Sequence, residues 1–172
     1  MIGEKEMNER FNEIYKFNET FQRSKLEPLA EFNRGKELEK LNGQIHLIDE
    51  ELQEIKDAIK DGDWEALKDG VMDLLVVGVG LGYVADIDCD KGLREVNRAN
   101  MSKLCSTQDE VVATTGHYGT LGVECAVQSV GNSLWAIKST KDQTDTEGNF
   151  FPEGKFLKNV NWSTPDLFGI ER

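Results

Sequence analysis

The chain has 172 residues, 38% hydrophobic and 30% charged, which suits one domain with a small appended piece. Asp and Glu outnumber Lys and Arg by 32 to 20, and the net charge of −12 argues against a duplex nucleic-acid surface, because phosphate backbones repel such a field. No apolar run reaches the length of a membrane span, no signal peptide is expected at the N-terminus, and three scattered cysteines without a C-x-x-C pair read as reduced thiols in the cytoplasm.

Met7, Phe11, Ile14, Phe17 and Phe21 recur every three or four residues, which predicts a first helix. Pro28 ends that pattern, and residues 29–42 read as a second, more polar helical stretch. The clearest helix covers 44–60, where Ile45, Ile48, Leu52, Ile55 and Ile59 form one apolar stripe. Gly62 suits the position after that helix, and Asp63 suits the N-cap of the next.

The next helix is expected over 64–82, although its valines and glycines are poor helix formers. Val76-Val77-Gly78-Val79-Gly80-Leu81-Gly82 also invites a dinucleotide-binding reading, but Tyr83 stands where the third glycine of that fingerprint belongs. A further helix is expected over 91–103, with Leu93, Val96 and Met101 on its apolar side. After Leu104 the texture turns to Thr, Ser, Gly and Val. Segments 122–127 and 133–138 alternate as two short strands of a hairpin, and the tail from Gly154 reads as irregular. The fold class is therefore mainly α, with a helical core over 1–107 and a peripheral hairpin and tail over 108–172.

Four carboxylates on two helices point to chemistry. Glu51 and Glu54 share one flank of the 44–60 helix, distinct from the isoleucine stripe, and Asp69 and Asp73 share a face of the next. Asp73 precedes Leu74-Leu75-Val76-Val77, so it is expected to be desolvated and to need a partner. A helical hairpin about Gly62 would gather both pairs into hard oxygen ligands suited to Mg²⁺. The plainer reading is that they are solvated helix surface.

Leu47-Ile48-Asp49-Glu50-Glu51-Leu52-Gln53-Glu54-Ile55 resembles the E-E-x-x-E helix of the MazG-like and phosphoribosyl-ATP pyrophosphohydrolase-like enzymes. Segment 69–77 resembles their second acidic helix, and 95–104 their later S-N-M-S-K segment, with Ala99 in place of the first Ser. Gly154-Lys155-Phe156-Leu157-Lys158 followed by Pro165-Asp166 resembles a family tail, and Phe11 to Phe21 the first helix of phage-type members. The resemblance covers about residues 10–168 and is weakest over 108–150. Many members carry E-x-x-D in the second helix, and here Gly70 stands in place of that Glu. Asp69, one residue earlier, resembles a D-x-x-x-D variant of the phage-type branch.

The resemblance implies an all-α bundle that uses Mg²⁺, or Mn²⁺ as substitute, to split nucleoside triphosphates between the α and β phosphates. It implies Glu51, Glu54 and Asp73 as metal ligands, with Asp69 or Glu50 completing the site or holding a second ion. Glu50, Glu51 and Glu54 are the candidate catalytic carboxylates, Glu50 as general base. Asn100 and Lys103 would contact the nucleotide, and Lys155 and Lys158 its phosphates across a subunit interface. Asn100 as a local cap and the two tail lysines as solubilising surface are the plainer alternatives. A homodimer or homotetramer in the cytoplasm, the host's if phage-encoded, is expected. Against this stands a non-catalytic acidic helical binding or regulatory protein with a degenerate metal site.

Overall fold

A computed structural model describes residues 4–21, 23 and 35–170. Its chain divides into two compact units, one of residues 1–93 with 168–172 and the other of 94–167.

The first unit is built on helices α1 (Glu4–Thr20), α2 (Gly35–Asp61) and α3 (Trp64–Val84), with the start of α4 (Cys89–Met101). The α2–α3 hairpin turns at Gly62, whose φ of 70° is left-handed and favours glycine. Asp63 then caps α3 by accepting 3.0 Å bonds from the Glu65 and Ala66 N–H groups, as the Gly-Asp pair predicts. Helix α2 extends nine residues further towards the N-terminus than the isoleucine stripe suggests. The expected separate stretch over 29–42 becomes, from Gly35 on, its first turns, and its remainder, with Pro28, lies outside the described residues.

Helix α3 runs unbroken through Gly78, Gly80 and Gly82, which removes the strand that a dinucleotide site would need. Gly70 and Gly80 are buried where neighbouring helices come close. A Cβ at Gly70 would lie 2.9 Å from Ile55 Cγ1, and one at Gly80 would lie 3.3 Å from Gln44 Oε1. Helix packing therefore overrides the low helix propensity of this segment. The small core of this unit joins Tyr15 of α1 to Val79, Tyr83 and Val84 of α3. The Tyr15 hydroxyl donates to Ile87 O at 2.8 Å and accepts from Cys89 N–H at 3.0 Å, which ties α1 to the α3–α4 turn.

The isoleucine stripe of α2 is buried only in part, through the half-buried Ile48 and Ile55. Gln44 and Ala58 are buried and Glu51 half-buried, whereas Ile45, Leu52 and Ile59 are exposed. On α4 the expected apolar side also fails in part. Leu93 and Met101 are exposed, and the buried residues are Gly92, Asp90 and Ala99.

The second unit holds the rest of α4, helix α5 (Gln108–Thr120), an antiparallel hairpin of β1 (Cys125–Gly131) and β2 (Leu134–Ser139), and the short pair β3 (Gln143–Thr144) and β4 (Phe150–Phe151). The hairpin forms as the alternation predicts, but its first strand is displaced from 122–127 to Cys125–Gly131, and it turns at Asn132 and Ser133, both at positive φ. Helix α5 was not expected, because its Thr, Val and Gly content disfavours helix. Its start was legible, however, as the capping box Thr107-Gln108-Asp109-Glu110. The Thr107 hydroxyl accepts from Glu110 N–H at 3.1 Å. Cys105, Val111, Tyr118, Val123, Ile137 and Leu157 form the core. Leu157 N–H donates to Ile137 O at 2.8 Å, so the tail continues the hairpin. No described helix is long and apolar enough to cross a membrane.

Candidate functional site

The α2–α3 hairpin gathers the acidic residues. Ile55 meets Gly70, and in an antiparallel pair one turn back along α2 to Glu51 matches one turn forward along α3 to Asp73. The electrostatics agree. Burial raises the Glu51 carboxyl above the usual carboxylate range, and the neighbouring charges of Asp73, Glu54, Glu50 and Asp69 raise it further. The other four candidate acids therefore all act on Glu51 through space.

Glu51 is the centre of this group, and Asp73 is not the desolvated residue. Asp73 is exposed, because α3 turns that face outward despite the apolar residues that follow it in sequence. Glu51 Oε2 is instead buried without any hydrogen-bond partner. Glu54 and Asp69 are exposed, Asp69 lying beside Glu65 and Lys68 in an open depression. Glu50 is also exposed, with its Oε1 3.5 Å from His46 Nε2.

Among the described residues, no group of three or more His, Cys, Asp or Glu side chains is placed to hold a metal ion as it stands. The donor chemistry nevertheless fits a hard divalent cation. An unsatisfied buried carboxylate oxygen, flanked by further carboxylates, is what a cation relieves. Mg²⁺ keeps several waters and binds through one or two carboxylates plus phosphates, so a finished protein cage is not required. Gly70 is explained sterically. It sits in the helix contact against Ile55, which would have to shift to admit any larger side chain.

The nucleotide-contacting candidates lie in the second unit. Lys103 Nζ donates to Asn100 Oδ1 at 2.8 Å, so these two stand together at the end of α4. Lys155 and Lys158 are each placed over a ring, with Lys155 Nζ 4.9 Å from the Phe151 centroid and Lys158 Nζ 3.6 Å from that of Trp162.

A buried polar layer in the first unit leaves little trace in the sequence. Asn18 Oδ1 is buried without a partner, and Arg23 Nη1 donates to the buried Gln44 Oε1 at 2.9 Å, all beside Gly80. Gln44 is two turns before Glu51 on the same face of α2, roughly 10 Å along the helix. The visible signal was Gly80, since a glycine inside a helix marks a close approach.

No curated protein and no solved structure matches the chain. The family model for phosphoribosyl-ATP pyrophosphohydrolase matches residues 14–100, a little over half of the chain. The matched stretch contains every acid of the cluster and ends at Asn100, before Lys103 and the tail lysines. With the acidic hairpin at the centre of that match, the chain belongs to the phosphoribosyl-ATP pyrophosphohydrolase family, which points to a nucleotide pyrophosphohydrolase.

Proposed function

We propose that the protein hydrolyses a nucleoside triphosphate to the monophosphate and pyrophosphate, with a divalent cation bound by the acidic hairpin. The observation that carries this reading is the partnerless, half-buried Glu51 carboxylate surrounded by four other acids. Glu51, Glu54, Asp69 and Asp73 would hold Mg²⁺, or Mn²⁺ in its place. The cation would offset triphosphate charge and make a bound water more acidic. Glu50, which is exposed and free to meet solvent, accepts the proton of the attacking water. Water adds across the bond between the α and β phosphates, and pyrophosphate leaves. Asn100 and Lys103 bind the nucleotide, and Lys155 and Lys158 exchange their ring contacts for substrate phosphate. The Asp69-x-x-x-Asp73 spacing, rather than E-x-x-D, aligns the chain with the phage-type branch.

We further propose that the chain works as a homo-oligomer. Ile45, Leu52 and Ile59 on α2, and Met72 and Leu75 on α3, are large apolar side chains exposed to solvent. Exposed apolar side chains in such numbers on one hairpin favour burial against a partner. Ile59→Glu combined with Leu75→Glu is expected to lower the mass measured by light scattering to that of one chain. An unchanged oligomer would assign the contact elsewhere.

The test of the activity is pyrophosphate release from a panel of canonical and modified nucleoside triphosphates with Mg²⁺, Mn²⁺ or EDTA. Metal-dependent release with a monophosphate co-product is expected. Folded protein that releases none would favour an acidic binding or regulatory protein.

A further inference from the structure

A pocket of about 300 Å³ opens in the second unit between the end of α4 and the sheet. Ala136, Ile137 and Leu157, all nearly fully buried, lie beneath it, and its wall includes Phe156. Phe156 is 55% exposed, a high value for an aromatic ring that lines a pocket. A backbone bridge pairs Phe156 with Lys138, and Lys138 Nζ stands 4.6 Å from the ring centroid. Among the described residues, the Lys103 ammonium, on the same pocket, bonds only the Asn100 amide oxygen. Neither ammonium group is paired with a carboxylate among the described residues, although the chain carries 32 acidic side chains. The pocket thus combines an exposed ring with one cation, Lys103, and a second cation, Lys138, stands on that same ring. Its size lies at the lower end of small-molecule sites.

We propose that this pocket binds the nucleoside monophosphate portion of a nucleotide, with the base against Phe156 and the phosphate on Lys103 and Lys138. The choice of a nucleotide over another planar anion rests on the pyrophosphohydrolase reading. The lysines give up an amide oxygen and a ring face for a charge-assisted bond, which is the stronger contact. Phe156 and Lys138 then select for a ligand with both a flat base and an anionic group.

The experiment is calorimetric titration of the full chain in EDTA with nucleoside monophosphates, the matching nucleosides and inorganic phosphate. At least one monophosphate is expected to bind more tightly than its nucleoside or phosphate. Phe156→Ala is expected to weaken that binding by about tenfold, the usual scale for loss of base stacking. Phe156→Leu, which keeps apolar volume, separates lost stacking from lost packing and should fall between. Lys138→Met should weaken monophosphate binding and its salt dependence while sparing the nucleoside. No binding by the wild type, or equal binding by the wild type and both Phe156 variants, overturns the proposal. Binding as described with no triphosphate hydrolysis would sink the catalytic reading alone. Hydrolysis whose KM ignores Phe156→Ala would sink the pocket alone.

Discussion

Replacing Glu51 by Gln separates stability from function at the centre of the acidic cluster. In metal-free protein, the ionised form of Glu51 is disfavoured, because its buried oxygen has no partner and four like charges lie near it. Leaving a buried polar group unsatisfied costs about 1–3 kcal/mol. A neutral amide is cheaper to desolvate than a carboxylate, so Glu51→Gln in EDTA is expected to stabilise by about 1–2 kcal/mol. For a chain of this size that is a rise of roughly 3–6 °C in Tm. The sign with pH follows from the raised carboxyl. The folded state holds its proton to higher pH than the unfolded state, so the wild type loses stability as pH rises from the ordinary value of 4.5 through the raised one. The advantage of the variant therefore fades below that window. Metal should reverse the order. At about 100 times its Kd, a bound cation stabilises the wild type by about 2.7 kcal/mol, a gain the variant should largely forfeit. Thermal melts by circular dichroism, in EDTA and in millimolar Mg²⁺ or Mn²⁺, read all of this. A variant less stable in EDTA, with the full metal-induced gain, would refute the reasoning.

Three other outcomes are expected. Asp73→Asn should abolish pyrophosphate release while leaving the far-ultraviolet spectrum unchanged, since Asp73 is exposed and packs no core; undiminished turnover would remove it from the site. Gly70→Ala should gain up to about 1 kcal/mol in helix propensity but lose about 1–3 kcal/mol to overpacking against Ile55, whose Cγ1 lies 2.9 Å from the new Cβ. In an Ile55→Ala background the same change should become stabilising, and urea unfolding that shows equal effects in both backgrounds would deny the close contact. In the second unit, Glu95 and Glu110 are each lowered from 4.5 to about 2, Glu95 chiefly by Arg98 and Glu110 chiefly by the Ser106 N–H. Their stabilisation is present above 4.5 and lost as pH falls towards 2. Acid titration followed by tryptophan fluorescence should therefore show unfolding in that window, and Glu110→Gln should flatten it.

Much of the chain was legible from local rules. Periodicity marked α1, α2 and α3, Gly62 and Asp63 marked the hairpin, and alternation marked β1 and β2. These signals depend on neighbours in sequence, which is why they survive without a structure. The spacing of Glu51 with Glu54 and of Asp69 with Asp73 likewise follows from helix geometry. What each helix face meets was decided only by tertiary packing. Helix α2 was expected to bury or half-bury two faces; the flank of Leu47, Glu51 and Ala58 is so placed, whereas of the isoleucine stripe only Ile48 and Ile55 are half-buried and Ile45, Leu52 and Ile59 are exposed. Asp73 looked desolvated from its apolar sequence neighbours, but burial is set by the neighbours in space, so Glu51 holds that position. Helix α5 formed against its composition because Val111, Thr114 and Tyr118 could be buried against the hairpin and tail. The pocket beside Phe156 joins residues more than fifty positions apart, and only folding could bring them together.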